Sequence, residues 1–228
     1  MWKKFFIKLI IFLILVLNLY SNDYKIKFQH ITIKDGLSQS SVFSIFQDKE
    51  GFIWIGTEDG LNKYDGYKFK IYRNEPNNPG SLSYSYIKVV YEDNLGNLWI
   101  GTYGGGLDRF DKDKEIFIHY KNSMNLNSLS SNYVTSICED KNGDLWIGTE
   151  NGLNRYNREK NIFIHYYHEF RNPKSLSSNY ITCVYSDKKG TLWVGTDKGL
   201  NKFNEKENSF IFKRSASITP LIQSRHTL

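Results

Sequence analysis

The chain has 228 residues, of which 40% are hydrophobic and 16% aromatic, with 16 Tyr and 15 Phe. That is enough apolar material for one or two packed domains, and so many rings favour strands, where aromatic side chains pack well on a pleated surface. The formal charge is +6, but Lys3, Lys4 and Lys8 fall in an N-terminal leader and no Lys/Arg run marks a basic face, so nucleic acid is excluded as the expected partner.

Residues 1–21 differ from the rest. Lys3 and Lys4 give a positive start, Leu9 to Leu17 is an unbroken apolar run, and Ser21 offers a small residue for cleavage before Asn22. This predicts a signal peptide, with an uncleaved N-terminal anchor as the alternative. Either way the remainder is expected to be exported to the periplasm or another extracytoplasmic space. Cys138 and Cys183 are the only cysteines. Two do not make a disulfide framework, and both are expected as buried free thiols.

A loose alternation of Tyr24, Ile26, Phe28, Ile31 and Ile33 predicts a lone strand over 23–34. Gly36 to Ser41 follows as a loop. Then Val42 to Gln47 predicts a strand, Asp48-Lys49-Glu50-Gly51 a tight turn, Phe52 to Thr57 a second strand, Leu61 to Tyr64 a third and Lys68 to Tyr72 a fourth. The pattern recurs. Gly51-Phe52-Ile53-Trp54-Ile55-Gly56-Thr57 is nearly copied at 96–102, 143–149 and 190–196, and the tryptophans at 54, 99, 146 and 193 stand 45, 47 and 47 residues apart. A fixed period in the 40s with four short strands per period describes the blades of a β-propeller. The fold expected is therefore all-β, four four-stranded antiparallel blades at about 42–72, 87–120, 134–166 and 181–213, with an off-pattern tail at 215–228. Each Trp strand is nearly all apolar because both of its faces meet a neighbouring blade.

The motif Gly-x-Leu-Trp-Ile-Gly-Thr, followed by Gly-Leu-Asn-Arg-Tyr and Ser-Leu-Ser-Ser-Asn loops, resembles the two-component regulator propeller repeats from about Phe28 to Phe212. The resemblance implies the periplasmic sensor region of a hybrid histidine kinase, a seven-bladed propeller, and in many members a link to polysaccharide breakdown products. The chain departs from that pattern. It shows four repeats, and neither a His-Glu dipeptide in a dimerising helix nor a Gly-rich nucleotide box. The lone first strand is one too many for a closed four-blade ring, so an incomplete arc of a larger propeller, from a truncated product, is expected. Such an arc would bare a blade face for a protein partner or for self-association.

The strand order puts the long loops and the loops between second and third strands on one face. Function tends to sit on loops over a rigid scaffold. Tyr84, Tyr103, Asn132 and Asn179 are the candidate ligand contacts, suited to an oligosaccharide or another small ligand through stacking and hydrogen bonding. Turn chemistry is the competing account of the Ser and Asn residues. No catalytic residue, metal ligand or cofactor is expected: His119 and His165, with His30 at a matching register, read as structural. A carbohydrate-active enzyme is the rival function, with Glu58, Asp59, Glu150 and Asp197 as its available carboxylates, and a protein-binding scaffold is a third.

Overall fold

The structure, a computed structural model, describes Trp2 and residues 28–213. The expected leader and the off-pattern tail lie outside the described residues. Among those described, no helix is long and apolar enough to cross a membrane.

Among the described residues sixteen strands form four antiparallel sheets, each in simple sequence order. Blade 1 holds β1 (Val42–Gln47), β2 (Ile53–Thr57), β3 (Gly60–Tyr64) and β4 (Phe69–Tyr72). Blade 2 holds β5 (Ile87–Glu92), β6 (Leu98–Thr102), β7 (Leu107–Asp111) and β8 (Ile116–Tyr120). Blade 3 holds β9 (Val134–Glu139), β10 (Leu145–Thr149), β11 (Gly152–Asn157) and β12 (Ile162–Tyr166). Blade 4 holds β13 (Ile181–Ser186), β14 (Leu192–Thr196), β15 (Gly199–Asn204) and β16 (Ser209–Lys213). The strands β1, β5, β9 and β13 approach one another from blade to blade and line the axis.

The start of the array differs from expectation. Residues 28–32 form no strand, Ile33–Asp35 make a 3-10 turn capped by Thr32, and residues 24–27 lie outside the described residues. The cause is local: the Thr32 backbone N–H and hydroxyl both bond the Asp35 carboxylate, which closes a capping box. Leu37 and Ser38 then take the place that Leu82-Ser83, Leu129-Ser130 and Leu176-Ser177 take in the other loops, so this stretch is the tail of an inter-blade loop. His30 therefore has no strand register to share with His119 and His165.

The turn Asp does more than turn the chain. Asp48 Oδ1 accepts the backbone N–H of Glu50 and of Phe52, while Oδ2 accepts the Trp54 indole N–H at 2.7 Å. Asp93, Asp140 and Asp187 hold Trp99, Trp146 and Trp193 at 2.7, 2.8 and 2.9 Å. A buried indole N–H without a partner is costly, and here its own hairpin supplies one.

Three apolar clusters lie between blades, not within them. Trp54 and Leu61 of blade 1 meet Ile87, Val90, Leu98 and Phe110 of blade 2. Trp99 and Leu107 of blade 2 meet Val134, Ile137 and Leu145 of blade 3. Trp146 and Leu153 of blade 3 meet Ile181, Val184 and Leu192 of blade 4. At each junction a β-branched side chain enters a notch made by a glycine. A Cβ added at Gly56 would come 2.7 Å from Ile87, one at Gly101 2.6 Å from Val134, and one at Gly148 2.7 Å from Ile181. The glycine is thus required by close approach of the next blade. Blades 1 and 4 each keep one side that no described residue covers, so the four sheets form an open arc.

Candidate functional site

A second polar set fastens each long loop to its blade. Ser38, Ser130 and Ser177 donate their backbone N–H to the side-chain oxygens of Asn62, Asn154 and Asn201, whose amide nitrogens donate back to the Ser hydroxyls. Blade 2 breaks the pattern. Asp108 stands where the others have Asn; it still accepts Ser83 N–H, but a carboxylate cannot donate, and the buried Ser83 hydroxyl is left without a partner. Asp108 Oδ1 is instead bonded by His119 Nδ1 at 2.7 Å, while His119 Nε2 lies 3.0 Å from the Pro79 carbonyl. Both nitrogens thus face oxygen atoms, an arrangement that favours the doubly protonated ring. The hydrogen bond to Asp108 raises its pKa against the opposing effect of burial. His165 Nε2 instead donates to the Ser128 carbonyl, 2.6 Å away.

The expected contacts separate into two pairs. Asn132 Oδ1 accepts the Asn122 backbone N–H and Asn179 Oδ1 accepts that of His168, so both oxygens serve loop geometry. Their backbone carbonyls also hold Gly106 and Gly152 of the loops between second and third strands. Tyr84 is about half exposed, and its ring lies against Gly104, where an added Cβ would come 3.5 Å from it. Tyr103 is held differently. Its hydroxyl donates to Glu150 Oε1 at 2.6 Å, and its backbone N–H bonds the Tyr86 carbonyl.

Tyr103 is the centre of a group that crosses the axis end of the loop-rich face. Its ring sits 5.2 Å from that of Tyr86 and 5.1 Å from that of Tyr133, the latter edge-on. Phe43 extends the row, 4.9 Å from Tyr86. Tyr180 reaches the same Glu150 oxygen from blade 4 at 3.3 Å. The bond to Glu150, then burial, push the Tyr103 phenol up to about 12. The Tyr180 phenol is raised as well, first by burial and then by the Glu150 charge. Blades 1 to 4 all contribute a group to this surface.

Tyr86, Tyr133 and Tyr180 escaped notice in the sequence. They share one register, directly before β5, β9 and β13, and that recurrence was the available signal. Blade 1 has Ser41 at this place.

Two grooves lie elsewhere. One of about 870 Å³ runs between residues 168–177 and Phe210-Ile211-Phe212; one of about 380 Å³ lies between the turns of blades 3 and 4. Neither is lined by the axial tyrosines. Among the described residues no group of three or more His, Cys, Asp and Glu is placed to hold a metal ion. Cys138 is buried, and burial drives its thiol up to about 12. Cys183, also expected to be buried, is exposed, because it shares the register of Ser44 and Ser136 on the uncovered side of blade 4.

Residues 36–59, 81–104, 128–151 and 175–198 match the family described as two component regulator propeller. Over 74 residues the chain is 51% identical to Histidine kinase P4 of Formosa agariphila, a stretch that is 32% of this chain and 5% of that protein. Two solved structures are described as extracellular domains of hybrid two-component systems from B. thetaiotaomicron. One is 30% identical with a TM-score of 0.60, covering 80% of this chain and 31% of that one. The other is 28% identical with a TM-score of 0.67, covering 82% and 27%. Virginiamycin B lyase from Staphylococcus aureus, at 16% identity and a TM-score of 0.56, shares the fold alone. The chain spans less than a third of the length of the sensor relatives. The four matched stretches, one in each blade, make the chain an array of two component regulator propeller repeats.

Proposed function

We propose that this chain acts as the extracytoplasmic, ligand-sensing propeller part of a two-component signalling system, without catalysis of its own, and that it receives an oligosaccharide on the axial tyrosine surface. The observation that carries the reading is the row Phe43, Tyr86, Tyr103 and Tyr133 beside Glu150. Ring faces stack on the C–H faces of sugars, and phenols and a carboxylate at their edge match hydroxyls. Tyr103 and Tyr180 are held by Glu150 before any ligand arrives, so little ordering cost falls on binding. The kinship with extracellular domains of two-component systems supports the location and the signalling role.

Isothermal titration against a panel of neutral and acidic oligosaccharides tests this. Binding by at least one glycan, weakened tenfold or more by Tyr103→Ala, is expected. No binding across the panel, or binding untouched by Tyr103→Ala and Tyr133→Ala, overturns the assignment. Reducing-sugar release from the same glycans, abolished by Glu150→Gln, would overturn the non-catalytic reading in favour of a hydrolase.

A further inference from the structure

The position directly after the Thr of each Trp strand opens the loop between second and third strands. It holds Glu58 in blade 1, Tyr103 in blade 2, Glu150 in blade 3 and Asp197 in blade 4. Three of the four are carboxylates, and the fourth donates its hydroxyl to one of them. Backbone bonds set this register against the tyrosines that precede the axial strands. The N–H groups of Tyr103, Glu150 and Asp197 donate to the carbonyls of Tyr86, Tyr133 and Tyr180 at 2.9, 3.1 and 3.3 Å. Carboxylates and rings therefore stand side by side at the axis end of the loop-rich face. The charges are felt by the rings: the Tyr86 phenol is raised first by burial and then by Glu58, and the Tyr180 phenol first by burial, then by Glu150, with Asp197 adding to it.

The nearby cations are engaged in other ways. Arg73 is held by Asp59 at 2.9 Å, and Lys198, next to Asp197, lines the outer groove along Phe210-Ile211-Phe212. Lys88 lays its ammonium 4.8 Å over the Phe43 ring, so the aromatic row already receives one cation from the chain itself. Ring faces carry the negative end of the aromatic quadrupole and attract an ammonium. Tyr133 and Tyr180 keep 44% and 41% of their surface exposed. Glu150 accepts the Tyr103 and Tyr180 phenols through Oε1 alone, and no described residue donates to its Oε2. A half-exposed ring beside an unused carboxylate oxygen offers an ammonium both a π-face and a charge-assisted hydrogen bond. A carboxylate or sulfate on a glycan would instead meet the repulsion of Glu58, Glu150 and Asp197.

We propose that the oligosaccharide received here is an amino glycan with free, cationic amino groups, and that Glu150 selects it by taking an ammonium on Oε2 while the sugar rings stack on the tyrosines. This rests on the assignment of the axial tyrosine surface as the glycan site and names the class of glycan. An N-acetylated sugar of the same ring shape keeps the stacking and loses the charge, so it binds more weakly. A sugar hydroxyl can also donate to Oε2, but without the Coulomb attraction.

Isothermal titration of the purified full chain at about pH 5.5 tests this with three probes: the tetramers of glucosamine, of N-acetylglucosamine and of galacturonate. The glucosamine tetramer is expected to bind tenfold or more tighter than its N-acetylated form. That advantage should shrink as salt rises from about 50 to about 500 mM, because screening weakens exposed charge pairs. Glu150→Gln should abolish the advantage and leave the N-acetylated tetramer within twofold, since Gln keeps an oxygen for the tyrosine hydroxyls and replaces only the unused one. The salt series needs no variant, so it decides the matter even if Glu150→Gln fails to fold. Equal affinity for the two forms overturns the ammonium assignment, as does a preference for galacturonate or an advantage indifferent to both salt and Glu150→Gln. Each of these outcomes leaves the broader glycan reading standing. Absence of binding by all three tetramers overturns the proposal as well, and the wider glycan panel then decides the sensing assignment separately.

Discussion

Trp99 and Trp193 occupy the same register of the same kind of strand, and both donate their indole N–H to a turn Asp. Trp99 is sealed, with Tyr156 set edge-on at 5.5 Å and blade 3 packed over it. Trp193 is half-buried, with Lys202 near its ring and no described residue of a following blade above it. The local sequence sets the ring's aim, and the neighbour supplies most of the burial. In this fold the stabilising unit is the junction and not the blade.

That contrast can be broken by mutation. Trp99→Ala should cost about 3–5 kcal/mol in urea unfolding, since it empties a closed site, and Trp193→Ala about 1 kcal/mol at dilution, where the face is free. Equal losses at the two positions would show that blade 4 is covered after all. Asp93→Ala should follow at about 3 kcal/mol, because Asp93 also pairs with Arg158 at 2.8 Å and leaves both that cation and the Trp99 indole unpartnered. Burial pushes the Asp93 carboxyl up, but the Trp99, Asn97 and Arg158 bonds outweigh it and the net shift is downward. A depressed carboxylate contributes stability above its unfolded value of about 4, lost as pH falls through the folded value. Asp93→Asn should therefore flatten the acid limb of the stability profile, measured as urea midpoints from pH 5 down to pH 2.

The Asp108–His119 pair gives a smaller effect of opposite sign. His119 is raised above 6.5, so its contribution is complete below that pH and is lost as pH rises through the folded value. Asp108→Asn gives Ser83 an amide donor and removes the carboxylate that raises the His119 pKa. The net change should be within about 1 kcal/mol, with the slope between pH 6 and 9 abolished. The least energetic test is spectroscopic. In an alkaline absorbance titration, one tyrosine of the parent chain should ionise near 12, and Glu150→Gln should bring it back toward 10.

The repeat was legible because Trp, Gly and Asp recur at one spacing and each has a reason tied to a sheet. The partner of the indole was not: turn geometry already accounted for Asp48 and its counterparts, which hid their second role. The axial tyrosines precede strands whose pairing brings three blades to one point, and no spacing within one repeat reveals that convergence. Asn132 and Asn179 stood out for polarity on the right face, but their oxygens are taken up by loop backbone. Over 28–34 the strand expectation failed because spaced apolar residues such as Phe28, Ile31 and Ile33 suggest a strand, whereas a single Thr32–Asp35 box decides the local geometry. Cys183 was expected to be buried because it falls on a first strand, and strand membership alone cannot say which face the thiol takes or whether that face is covered.

Each indole finds its acceptor only six residues back along the chain, inside one hairpin. The acceptor of each ring is thus synthesised before the ring itself and before any later segment exists. A chain emerging from the ribosome carries the partners of each indole ahead of the sheet that will cover it, so assembly can advance from the amino end one junction at a time.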